Sequence, residues 1–142
     1  MRDIVSNIGL VTAIAPAVYT ADNTPPALDL LGFGSAMLSI HVGVGGITFT
    51  GTNKIEFVLT HSEDGTTFDP VTDDDVQGVA GTTGGIVLAL KAAHADPSVT
   101  KVGYVGNRRY LKLLADFSGT HGTGTPIAAT LVKGNPSQAP VT

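Results

Sequence analysis

The chain has 142 residues, no cysteine, no tryptophan and only 14% charged residues, which suffices for one domain with a real core and excludes disulfides and thiolate metal sites. Its formal charge of −4 argues against nucleic acid as a partner, since affinity there comes largely from Lys and Arg displacing phosphate counterions. No stretch approaches the ~20 continuous apolar residues of a membrane helix, and low charge with positive mean hydropathy argues against disorder.

The opening segment, "MRDIVSNIGLVTAIAPAVYT", imitates a secretion signal only loosely. Asp3 cancels Arg2, and Ser6, Asn7 and Thr12 interrupt the apolar run. It is expected to form an N-terminal arm and first strand over residues 1–20, docked on a neighbouring subunit or on the domain's own sheet. Ile4, Val5, Ile8, Leu10 and Val11 are the apolar residues it would bury in a contact. Deleting residues 1–15 is then expected to remove that contact and leave a folded domain.

Residues 21–142 read as the domain itself, with a Pro-rich tail. In "SAMLSIHVGV", Ala36, Leu38, Ile40, Val42 and Val44 share one strand face, with Ser35, Ser39 and His41 opposite. In "NKIEFVLTH", Ile55, Phe57 and Leu59 face away from Lys54, Glu56 and Thr60. "GIVLALK" groups Ile86, Leu88 and Leu90, and "RRYLKLLADFSG" groups Leu111, Leu113, Ala115 and Phe117. "PIAATLVKG" is a last strand ending at Gly134.

Shorter strands are expected around residues 16–20, 28–31, 68–71 and 99–105. A helical turn is expected at residues 88–94 or 73–77. Turn chemistry separates these segments at Pro25-Pro26, Gly45-Gly46, Asp64-Gly65, Gly84-Gly85, Asp96-Pro97 and Gly122-x-Gly124. The pattern predicts an all-β fold, a β-sandwich or jelly-roll-like single domain with an extended N-terminal arm.

The stretch "LTHSEDGTTFDPVTDDDVQG" holds Glu63, Asp64, Asp69, Asp73, Asp74 and Asp75, half of the twelve acidic residues. As an EF-hand it fails: with Asp64-Gly65 at positions 5 and 6, Val71 occupies the position that needs a bidentate Glu. Asp73, Asp74 and Asp75 could approach a cation only loosely, and three adjacent carboxylates are expected to form a solvated, mutually repelling turn. A glycosidase pair needs one buried acid and, for its sugar, aromatic platforms that are scarce here. "SEDGTTF" resembles the Asp box of sialidase-like propellers, but it lacks the residue between Asp and Gly, has Phe68 for Trp and occurs once. Such boxes are hairpin turns, so the reading is a tight Asp64-Gly65 connection with Phe68 returning to the core beside Phe57 or Leu59.

Nothing supplies nucleophilic catalysis: there is no Gly-x-Ser-x-Gly elbow and no cysteine. His41, His61, His94 and His121 lack metal-ligand spacing and are expected on polar faces or in loops. The glycines of "VGVGGITFTG" fit neither a dinucleotide fingerprint nor a P-loop and are read as hairpin residues. Arg108 and Arg109 form the only adjacent basic pair, suited either to an acidic partner surface or to guarding a strand edge.

In order along the chain, "ALDLLGFGSAMLSIHVG", "FVLTHSEDGTTFDPV", "VGYVGNRRYLKLLADFSGT" and "GTPIAATLVKGNPSQAPV" resemble small head-morphogenesis proteins of tailed bacteriophages and gene-transfer particles. The resemblance spans nearly the whole chain and contains no catalytic motif. It implies a virion structural protein without cofactor, metal or membrane. The expected role is a capsid cement or decoration protein on the outer capsid surface, bound to the major capsid protein as a homotrimer after assembly in the host cytoplasm. The alternatives are a tail, fibre-base or head-completion component, and a carbohydrate-binding β-sandwich; an enzyme is not expected.

Overall fold

A computed structural model describes residues 2–142; of the arm expected over residues 1–20, the first residue lies outside those described. Ten strands follow one another: β1 (Gly9–Tyr19), β2 (Leu28–Asp29), β3 (Phe33–Val42), β4 (Lys54–Ser62), β5 (Asp69–Pro70), β6 (Val76–Gln77), β7 (Ile86–Leu90), β8 (Ser98–Tyr104), β9 (Tyr110–Ser118) and β10 (Thr125–Pro136). Short 3-10 turns occupy Val5–Asn7 and Asp73–Asp75. The expected helical turn over residues 88–94 is absent, because the chain there is still strand and then irregular.

All strand pairs are antiparallel and form two sheets. The first has the order β1-β10-β3-β8-β6. The second has the order β2-β9-β4-β5, with β7 also paired to β4. This is the all-β sandwich that the alternation predicts. Each long strand turns its apolar series inward. Leu38, Ile40 and Val42 of β3, Val102 of β8, and Ile127, Ala129 and Leu131 of β10 are buried in one layer. In the other, Ile55, Phe57 and Leu59 of β4 lie beside Leu111, Leu113 and Ala115 of β9. Full burial of each such Leu, Ile or Phe side chain contributes about 1.5–3 kcal/mol.

Three expectations are corrected by this packing and one is met. The N-terminal segment docks on the domain's own sheet, one of its two expected places: Gly9–Tyr19 pairs along β10 and buries Ala13 and Ile14 in the core. Its register slips twice, around Ala13 and between Ile14 and Ala17, so strict alternation is lost before Pro16. In β7 a bulge between the partners of Phe57 and Val58 turns Val87 inward and moves Ile86 off the face of Leu88 and Leu90. Phe68 does not return to the core; it is half-buried under the Lys112 ammonium, 4.2 Å from its ring centroid, and Val71 takes the buried place. His61 belongs to the inward series of β4 and is buried, not on a polar face.

Candidate interaction surface

Strand register decides what each sheet shows to solvent, because partners across an antiparallel pair share a face. On the outside of the second sheet lie Lys54, Glu56 and Thr60 of β4, with Lys112 and Asp116 of β9. Glu56 is buried there under its own cations: Lys54 Nζ donates to Oε1 at 2.8 Å, and Lys91 Nζ lies 3.0 Å away. The Lys54 and Lys91 bonds hold its carboxyl below the usual range against the opposing effect of burial.

The outside of the first sheet is different in kind. Leu10 pairs with Val132, Val132 with Met37, and Met37 with Gly103, while Thr12, Thr130, Ser39 and Lys101 form a parallel row. A third row runs through Ala128, His41 and Val99, and Val18 sits beside Pro126. Lys101 is the single formally charged residue in these rows. Leu10, Val18 and Val99 are 64%, 60% and 62% exposed, so apolar side chains stand in solvent on β1 and on β8, with the half-buried Met37 and Val132 between them. At one end the strands dip into a shallow apolar trough of about 490 Å³, edged by Pro16, Pro97 and Pro126, with His41 in its wall. His41 Nε2 lies 3.1 Å from the Ser39 hydroxyl of the same face.

The candidate contact residues from the sequence are divided by the structure. Ile4 and Val5 flank the first 3-10 turn and are 64% and 78% exposed. Ile8 is half-buried, Leu10 points outward from β1, and Val11 packs against the core. The segment is tied down by the other terminus, since Val141 N–H donates to the Ser6 carbonyl at 2.9 Å.

Arg108 and Arg109 are both engaged within the chain. Arg108 binds the Asp69 carboxylate through Nη1. Arg109 grips Asp29 with Nε and Nη2, each at 2.8 Å, and that bond holds the Asp29 carboxyl at about 2. Neither guanidinium guards a strand edge: both precede β9, which lies between β2 and β4.

The acidic stretch resolves into separate local bonds. Asp64 Oδ1 accepts from Thr66 N–H at 2.8 Å, Thr67 N–H at 2.9 Å and the Ser62 hydroxyl at 2.8 Å, which holds its carboxyl at about 2. Gly65 follows at φ +73°, as a tight Asp-Gly turn requires. Asp73 is held by the Thr82 N–H and hydroxyl. Asp75 closes a capping box with Thr72, and Asp74 points to solvent. Burial works to raise the Asp75 carboxyl, and the Thr72 donors together with the charges of His61 and Arg108 hold it below its ordinary value. The turn is solvated as expected at Asp73 and Asp74, and Asp73 and Asp75 are each bound by local threonine donors. Among the described residues no group of three His, Asp or Glu side chains is placed to hold a metal ion.

Sequence patterning missed two buried histidines. His121 Nε2–H donates to the Ser118 carbonyl at 2.9 Å, with its ring edge-on to Phe117 at 4.7 Å. His61 Nδ1 lies 2.9 Å from the Tyr104 hydroxyl on the facing sheet. For His61 the signal was present, because it continues the period-2 series Ile55, Phe57, Leu59. For His121, in a Gly-rich loop, none was. No protein-family model, no curated protein and no solved structure matches the chain.

Proposed function

We propose that the protein is a virion structural component, a capsid cement or decoration protein that binds the outside of the assembled major capsid shell and stabilises it. The observation that carries this reading is the outer face of the first sheet: four paired strands that present Leu10, Val18 and Val99 to solvent around a single formal charge. Apolar groups on paired strands are already ordered, so docking them loses little conformational entropy. A face with so little charge leaves few ions to desolvate at a contact. The choice of the shell as partner rests on the resemblance of the segment order to phage head-morphogenesis proteins.

Such a protein acts by mass action. Binding the assembled shell and not its separated subunits stabilises the shell by RT ln(1 + [L]/Kd) at every site. A homotrimer engages several capsid subunits at once and gains avidity from doing so. Ile4, Val5 and Leu10 add apolar surface at the β1 margin of the face, which is the role left to the N-terminal segment now that Gly9–Tyr19 belongs to the sheet.

The test is copy number in purified particles together with binding to shells assembled without this protein. Saturation at the capsid's symmetry positions, with shells that then melt at higher temperature, is the expected result. A copy number fixed by the vertices or the tail would assign it to the head-completion, tail or fibre-base class. Retention on a glycan array without shell binding would make it a carbohydrate-binding module.

A further inference from the structure

At one end of the sandwich, residues 30–36 and 104–109 face each other across an open groove of about 510 Å³. The 104–109 wall is folded back on a buried polar centre. Tyr104 projects inward from β8 and His61 inward from β4, and their rings meet edge-on at 5.9 Å and 89°. The Tyr104 hydroxyl lies 2.9 Å from His61 Nδ1 and accepts the Arg108 N–H at 3.1 Å. Gly106 lies against the phenol so closely that a Cβ there would fall 2.5 Å from Tyr104 Oη. Val105 N–H donates to the Asp75 carbonyl at 2.8 Å, and the far end of the wall is tied separately by the Arg108–Asp69 and Arg109–Asp29 ion pairs and by the Leu30 N–H on the Arg109 carbonyl at 2.9 Å.

We propose that His61 and Tyr104 form a proton-operated latch that secures the backbone of residues 105–108 in this wall at neutral pH and loosens it in mild acid, while the Arg109–Asp29 pair keeps the end of the wall in place. The inference does not depend on the capsid reading. Its logic is donor and acceptor counting. The phenol oxygen already accepts the Arg108 N–H, so the phenol proton goes to Nδ1, and the neutral ring carries its proton on Nε2. Nε2 lies 4.0 Å from the Asp75 carboxylate.

Protonation of Nδ1 turns an acceptor into a donor. Two N–H groups then point at one phenol oxygen, and the phenol proton is left without its partner in a buried place. The Arg108 N–H is the bond that competes with the new cation, and it is the one that ties the wall to the phenol.

The charged groups around His61 come from every element packed on it: Asp75 from the 3-10 turn, Asp69 from β5, Arg108 from the segment before β9, and the phenol of Tyr104 from β8. Burial and then the Arg108 guanidinium push the imidazole below its ordinary 6.5, partly offset by Asp75 and Asp69. The folded chain therefore takes up this proton less readily than the unfolded one. The latch contributes its full stability above the ordinary histidine value, and that stability falls as pH drops through it towards the folded value.

The test follows His61 and the Val105 and Arg108 amides by NMR from about pH 7.5 to about pH 5, the histidine range. Exchange rates are corrected for their intrinsic pH dependence. The Arg108 amide is expected to lose protection about fivefold, the factor that one ordinary hydrogen bond carries, with the midpoint of the His61 titration. In His61→Gln, which does not titrate, the step is expected to vanish. Should that variant not fold, Tyr104→Phe serves: the Arg108 amide then exchanges fast at both ends of the range with no step. A step that persists in either variant, or an Arg108 amide that stays protected while His61 titrates, overturns the latch.

Discussion

Asn23 stands where a neighbouring strand would be for Ala115. The Ala115 N–H donates to Asn23 Oδ1 at 2.7 Å, and Asn23 Nδ2 returns a bond to the Leu113 carbonyl at 3.3 Å. β2 covers only Leu111 and Tyr110 of β9, so beyond them this edge is open except for Asn23 and for Asp22, whose Oδ1 accepts the Phe117 N–H at 2.7 Å. Two side chains thus do the hydrogen bonding of a missing strand, which both satisfies the ladder and blocks it to other chains. Replacing Asn23 by Leu is expected to lower unfolding free energy by about 1–3 kcal/mol, the cost of orphaning half-buried backbone groups. Urea melts measure the loss. An accompanying rise in light scattering would show the edge recruiting other strands, and an unchanged midpoint would refute the assignment.

The acid limb of stability is set by carboxylates held by local donors. Asp64 and Asp29 are both held at about 2 against an ordinary 3.8. A depressed carboxyl contributes its stability above the unfolded value and loses it as pH falls through the folded one. Below the loss that His61 causes at higher pH, thermal melts of the wild type should therefore show a further drop between roughly pH 4 and pH 2, by linkage. Asp64→Asn and Asp29→Asn should each flatten part of that drop. Identical slopes in wild type and variants would remove both residues from the account.

Gly65 sits at φ +73°, where a side chain is strained whatever the space around it. Gly65→Ala is expected to cost about 1–2 kcal/mol. Gly51 has open space and no positive φ, so Gly51→Ala serves as the matched control and should be neutral or slightly stabilising. Equal effects at the two positions in denaturant melts would contradict the turn geometry.

If the outer face of the first sheet is the docking surface, charge placed on it should hurt binding and not folding. Val99→Glu is expected to weaken shell binding about tenfold or more, with an unchanged melting temperature. Arg108→Ala and Arg109→Ala should leave shell binding alone, since their charges are already matched by Asp69 and Asp29. Each should change stability little, as surface ion pairs do. The reverse pattern, arginine variants failing to bind and Val99→Glu binding normally, would move the interface to the other end of the sandwich.

Deleting residues 1–15 is no longer expected to leave an intact domain. It removes Ala13 and Ile14 from the core and uncovers the β10 edge. Cutting burial on that scale should cost several kcal/mol, by analogy with large core truncations of about 2–5 kcal/mol each. Removing only residues 2–7 should keep the sheet, because β1 begins at Gly9. Circular dichroism and thermal melts of the two truncations separate these outcomes.

What could be read from the residues was the part of the fold that obeys an unbroken period of two. β3, β4 and β9 do so over Leu38/Ile40/Val42, Ile55/Phe57/Leu59 and Leu111/Leu113/Ala115, all buried as the alternation indicates; Ala36 and Phe117 at the ends of these series are only half-buried, and Val44, expected on the β3 face, lies past its end and is exposed. Where a bulge adds a residue, the period slips and the reading fails, at Val87 in β7 and around Ala13 and Pro16 in β1. β2, β5 and β6 are two residues long, too short to show any period. The outer face of the first sheet was hidden for another reason. Its rows are made of residues far apart in the chain, Leu10, Val132 and Met37 among them, and only register brings them together.

The last strand in the chain, β10, is the one that lies between β1 and β3. During synthesis β1 and β3 leave the ribosome long before the segment that must join them. The second sheet, by contrast, draws on β2, β4, β5, β7 and β9, all earlier than Thr125. The two halves of the sandwich are therefore born in order, and the proposed docking face comes into being last, from a segment whose arrival closes the sheet. A chain arrested at Gly124 should protect amides of β4 and β9 while those of β1 exchange freely and β3 keeps only its ladder to β8, and adding a peptide of residues 125–142 should complete the sheet and its exposed face.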